Sequence, residues 1–146
     1  MNAMECQNET GRAIVAIRLI LLVLGLLHLA NGAWMLASPE AWYAAVPGVT
    51  FTGPMNHHFI QDIGLAFAAS GAGLIYGVRV GIAPAAFALA GATWPMLHAL
   101  LHIWGWMAHG FARAADVAFS EIFGVVVIGL GGFAFAALNG RKQGVL

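Results

Sequence analysis

His98 and His102 stand four residues apart in an apolar stretch, MLHALLHIW. Side chains at i and i+4 share one helix face, so both imidazoles can approach one ligand, and HxxxH is a metal-ligand spacing. His58 and Asp62 repeat that spacing with a nitrogen and an oxygen donor. Glu121 is followed by Gly124 and Val125 at i+3 and i+4, which leaves its face uncrowded. His58, Asp62, His98, His102 and Glu121 therefore form an expected His/carboxylate ligand set, suited to zinc, copper or iron. Such an ion would act as a Lewis acid or an electron carrier. The single cysteine, Cys6, lies in the polar N-terminal tail, so a Cys-type structural zinc site is disfavoured. A second constellation is His28 with Asn31 at i,i+3, faced by Trp94. A neutral imidazole beside an indole wall suits a haem or quinone pocket. The same polar residues also fit a different role. Hydrogen-bonded to one another, they would lock the helices of a non-catalytic membrane subunit belonging to a larger complex.

These groups sit in a chain that lipid must solvate. The 146 residues are 61% hydrophobic and only 8% charged. A soluble domain carries about 25% charged residues, and one this short has no room to hide so much apolar surface. Net charge is zero, with no basic patch for nucleic acid. About 20 apolar residues span a bilayer. Four such runs are present, at about 13–36, 59–78, 82–107 and 114–138. The sequence thus predicts an all-α integral membrane four-helix bundle, one domain over 1–146. The polar tail before Arg12 lacks the basic start of a secretory signal, so the first run is read as a retained span.

Arg12, Arg18, Arg79, Arg141 and Lys142 fall on one side of the four spans and Arg113 on the other. The positive-inside rule then puts both termini in the cytoplasm, and in a bacterium the protein belongs to the inner membrane. Arg18 lies about two turns into the first span, within snorkelling distance of that interface. The 37–58 connection has no Lys or Arg and faces outward. Its sequence, PEAWYAAVPGVTFTGPMNHH, predicts a short interfacial helix near Pro39–Ala45. A turn-rich cap follows, ended by Asn56 or Thr52 as the cap of the second span.

Every helix contributes an ionisable residue to the outer leaflet, whose hydrocarbon is roughly 15 Å thick. At a rise of 1.5 Å per residue, His28 lies ~12 Å, Asp62 ~9 Å, His102 ~8 Å, His98 ~14 Å and Glu121 ~10 Å below the outer ends of their helices. A charge pointed into lipid at mid-membrane costs ~3 kcal/mol or more, so these side chains are expected to face inward. His57, His109 and Asp116 sit nearer the interface, Asp116 favouring the N-terminal dipole of the fourth helix or pairing with Arg113 at i,i+3. Trp104 and Trp106 read as interfacial belt residues. Pro95 should kink the third helix and free a carbonyl one turn earlier, near Gly91. The runs GLAFAASGAG and GVVVIGLGG are rich in small residues that let helices approach closely, within the chain or in a homo-oligomer.

The first span, RLILLVLGLLHLANGAWML, has an early Arg and ends in small and polar residues. It resembles the first helix of DoxX-like small four-span membrane proteins. WYAAVPGVTFTGPMNHHFIQDIG is similar to a motif of uncharacterised bacterial four-span proteins. The DoxX resemblance implies quinone or thiol oxidation with a redox partner. This chain has no pair of thiols in its spans, which weighs against the thiol version.

Overall fold

The computed structural model describes the backbone of residues 3–111 and 114–146, and side chains from Gly11 onward. Four helices are long and apolar enough to cross a membrane: Gly11–Ala37 within α1 (Ala3–Ala37), α3 (His57–Tyr76), α4 (Ile82–His109) and a fourth span, Ala115–Gln143. The fourth span is composite. It runs as α5 (Ala115–Phe119), a π-helical segment (Ser120–Val127) and α6 (Ile128–Gln143). Among the described residues there is no strand. The protein is an all-helical integral membrane bundle.

Consecutive spans are neighbours. α1 packs on α3, α3 on α4, and α4 on α6, while α6 closes the ring against α1. Leu21, Leu74, Ala88, Ala92 and Ala136 meet at the centre, almost fully buried. Much of the remaining apolar surface, such as Val23, Leu27, Leu65, Leu101 and Phe123, faces out, as a lipid-solvated bundle requires.

Small residues set the helix spacing. A Cβ added at Gly32 of α1 would lie 2.5 Å from the Gly64 carbonyl oxygen of α3, and one at Gly71 would lie 2.6 Å from that of Gly25. The glycines recur at seven-residue intervals on both helices, so the two backbones touch at two successive levels. At the α4–α6 contact, a Cβ on Gly129 would strike the Pro95 carbonyl. With no hydrophobic force between helices in lipid, such close van der Waals contact drives their association.

The two ends of the bundle differ. The end bearing the chain termini and the α3–α4 turn is tied by side-chain amides. Asn139 Nδ2 donates to the Gly77 carbonyl at 3.2 Å, and the Gly81 amide donates to Gln143 Oε1 at 3.1 Å. Arg18, expected to snorkel, keeps its Nε buried without a partner among the described residues. The opposite end, the loop face, carries the 38–56 connection. Helix α2 (Pro39–Ala45) starts with Pro at its first position, where the lost N–H costs nothing. A 3₁₀ turn follows at Val49–Phe51. Trp42 Nε1 donates to Asn31 Oδ1 at 3.0 Å and Tyr43 Oη to the Gly53 carbonyl at 2.6 Å. Glu40 meets His57 at 2.9 Å, and Asn56 caps α3 by accepting from the Phe59 amide. The cap is therefore fastened to both α1 and α3. The expected Arg113–Asp116 pair lies partly outside the described residues.

Candidate functional site

Pro95 organises the centre of the site. Proline has no N–H to give the carbonyl four residues earlier, so Gly91 loses its helical donor. Ser70 of α3 supplies one instead, its hydroxyl donating to the Gly91 oxygen at 2.7 Å. That proton is then committed, so the 3.0 Å contact between Ser70 Oγ and His28 Nδ1 must be donated by the imidazole. His28 carries its proton on Nδ1. Three helices are joined through one hydroxyl, and His28 and Ser70 are both buried. The expected free carbonyl near Gly91 exists. Its partner, Ser70, was hidden in a run of small residues that gave no polar periodicity.

From His28 an aromatic path leads toward the loop face. His28 meets Phe67 edge-on at 5.6 Å, and Phe67 meets Trp94 edge-on at 4.7 Å. Trp94 lies parallel to His98 at 5.2 Å, with an interplanar angle of 10°. His98 abuts the edge of His102 at 4.8 Å. His102 Nδ1 lies 3.6 Å from Glu121 Oε1, an ion-pair distance too long for a hydrogen bond. The other carboxylate oxygen accepts from Trp106 Nε1 at 2.7 Å, a short bond of the charge-assisted kind. Trp94, His98, His102 and Trp106 thus form one stripe at i, i+4, i+8 and i+12 on α4. Among the described residues none hydrogen-bonds to His98.

Glu121 reaches this stripe from the π-helical segment. The i→i+5 bonding of a π-helix changes the angle between successive side chains, and such segments recur at functional sites. Here Glu121 points at α4 while Gly129, Gly132 and Ala136 also bury their faces in the bundle. No feature of SEIFGVVV predicts the π geometry.

The structure separates the rest of the expected set. His58 and Asp62 pair with each other at 3.5 Å on the outside of α3, with side chains 88% and 54% exposed. The stripe of α3 that meets α1 holds Gly64 and Gly71, and Asp62 falls on the opposite side, in line with Ala66, Ala69 and Gly73 but beyond them toward the helix start, where its side chain is exposed. Only five residues into the helix, ~7.5 Å from its end, a charge stays near the headgroup layer and has no need to turn inward. Among the described residues, no group of three or more His, Cys, Asp or Glu is arranged to hold a metal ion. Asn31 does not accompany His28 into a pocket. Its carboxamide holds Trp42 and reaches the Met35 sulfur at 3.7 Å. Trp106, read as a belt residue, is a direct partner of Glu121. Its place on the His98–His102 stripe was the available signal.

A cleft of about 700 Å³ opens between α3 and α4. Ala66, Ala69, Ala72 and Gly73 line one side, Phe87, Ala90 and Gly91 the other. Tyr76 and Phe87, edge to face at 5.2 Å, lie toward the terminal end, and Trp94 toward the loop face. No protein-family model, curated protein or solved structure matches the chain.

Proposed function

We propose that this membrane protein binds a small planar molecule with hydrogen-bonding carbonyl or hydroxyl groups, of the quinone class, at the Trp94–His98–His102–Glu121 stripe. The observation that carries this reading is His98. Its imidazole lies flat on Trp94, beside a His–carboxylate pair, and no described protein group uses its nitrogens. Trp94, already stacked with His98, supplies an aromatic wall beside which a flat ring can lie. His98 and His102 supply ring nitrogens for carbonyl or hydroxyl groups, and the free side of Glu121 supplies an acceptor. Few convergent polar groups in apolar surroundings is the usual make-up of a small-molecule site. The test is direct. Solvent extracts of the detergent-purified protein are examined for a quinone absorbance that changes on borohydride reduction. The protein is then titrated with a benzoquinone while tryptophan fluorescence is followed. His98→Ala and Glu121→Gln should each weaken binding at least tenfold. Equal affinity in both variants and the unaltered protein would refute the site.

A second reading keeps a transition-metal ion on His98, His102 and Glu121 alone, which are not arranged around one point as they stand and which the ion would have to draw together. Its support is the contact of the two imidazoles with a carboxylate 3.6 Å beyond. Two histidines and one carboxylate suit zinc or iron. Elemental analysis of the purified protein separates the two readings, because the metal version requires stoichiometric content that His98→Ala with His102→Ala abolishes.

The excess of Lys and Arg on the terminal end supports a loop face outside the cytoplasm. Cys6 is the only cysteine, so a membrane-impermeant maleimide tests the orientation. Labelling of intact spheroplasts would reverse it.

A further inference from the structure

The α3–α4 cleft has a chemistry of its own. Its lining is mostly carbon: the Tyr76 hydroxyl and the Trp94 indole N–H belong to its two ends, and the Ser70 hydroxyl between them has nothing left to offer. That hydroxyl donates to Gly91 and accepts from His28. Between the Tyr76 and Trp94 ends an occupant therefore gains no side-chain hydrogen bond and must itself be apolar there. The cleft opens on the flank of the bundle, between two membrane-spanning helices, rather than at either end. From Ala66 to Tyr76 it runs ten residues of α3, ~15 Å, comparable to one leaflet of hydrocarbon. Its Trp94 end continues into the polar stripe, since the Trp94 ring lies flat against His98.

We propose that this cleft seats the hydrocarbon chain of the ligand, which enters sideways from the bilayer with its ring toward Trp94 and His98. The ligand is then a lipid-soluble quinone with a long chain, not a water-soluble one. This rests on the reading of the Trp94–His98 stripe as a quinone site, and continuity with that stripe is what singles out this occupant. An ordinary phospholipid chain would fill the cleft equally well but would leave His98 without a partner.

The cleft can be filled without disturbing helix contacts. Ala69, Ala72 and Ala90 are exposed on its walls, whereas Gly73 and Gly91 hold the helices together. Ala69→Leu with Ala72→Leu fills it from α3, and Ala90→Leu fills it from α4. Protein in nanodiscs is titrated with one benzoquinone headgroup, either without a chain or carrying a decyl chain. The decyl compound should bind the unaltered protein at least tenfold more tightly. The leucine variants should lose that advantage and keep the affinity for the chainless compound within twofold. A second measurement is independent of any variant. A quinone with a photoreactive group at its chain end should label the 66–76 or 87–94 segment. Three outcomes overturn the inference. The first is a chain that gives no advantage beyond that seen in the leucine variants. The second is labelling on other helices. The third is a phospholipid that competes as well as the chained quinone. In all three the ring site survives if the chainless compound still depends on His98. If neither quinone binds the unaltered protein, the ring site itself fails.

Discussion

Replacing Ser70 by alanine isolates the junction on which the three helices depend. The change deletes one methyl-sized hydroxyl and leaves backbone geometry alone. It removes two hydrogen bonds at once, to Gly91 O and from His28 Nδ1. Interhelical hydrogen bonds in membranes average about 0.6 kcal/mol, with a maximum near 1.7. Both orphaned groups are buried among helices, where an unpaired carbonyl or N–H costs about 1–3 kcal/mol. A loss of about 2 kcal/mol is expected, measured as unfolding free energy by SDS titration in mixed micelles. The decisive comparison is with Pro95→Ala. Alanine at 95 regains an amide that bonds Gly91 O along the helix, so Ser70→Ala made on that background should cost about 1 kcal/mol less, a coupling of ordinary size for residues sharing a partner. If the two changes are additive, Ser70 does not substitute for the missing proline N–H. If Ser70→Ala alone costs nothing, the junction is not structural.

Trp106→Phe keeps the ring and loses the indole donor. One charge-assisted hydrogen bond, discounted because Glu121 is about a quarter exposed, predicts a loss of about 1 kcal/mol in the same titration. Gly32→Ala should destabilise by about 2–3 kcal/mol, since its Cβ meets a backbone oxygen that cannot give. Gly105→Ala is the matched control. Nothing lies within 4 Å of a Cβ there, and thermal melts should show no loss of stability. His58→Ala and Asp62→Asn should each change stability by less than about 0.5 kcal/mol, as for an exposed i,i+4 pair. A loss above 1 kcal/mol would restore them to the bundle interior.

The architecture was legible because its signals are long. Four apolar runs and a short proline-led interfacial helix each extend over many residues and need no knowledge of neighbours. The Pro95 carbonyl was legible because proline acts on its own chain. The site was legible only in part. His98, His102 and Glu121 converge because they lie on half-buried, facing sides of α4 and the π-helical segment. His58 and Asp62 share the i,i+4 spacing, but spacing fixes only that two residues face alike, not which way they face. On α3 that direction is set by Gly64 and Gly71, which must meet Gly32 and Gly25, so Asp62 turns away from α1 and, near the helix start, stays exposed. Ser70 and Asn139 act across 21 and 62 residues of chain, and such partners have no local trace.

The fourth span carries two demands on one rod. Its terminal half must present Gly129 to the third helix at Pro95, while its loop half must present a carboxylate to His102. A uniform α-helix ties those directions together at 100° per residue. The eight π-helical residues act as a phase adjuster between them. Evolution can therefore retune the direction of Glu121 by gaining or losing one residue in 120–127, without touching the glycine contacts that assemble the bundle. Deleting Gly124 would swing Glu121 by about one α-helical step, ~100°, away from His102 in an otherwise intact protein. Register, rather than residue identity, is the variable on which the chemistry of this end of the bundle turns.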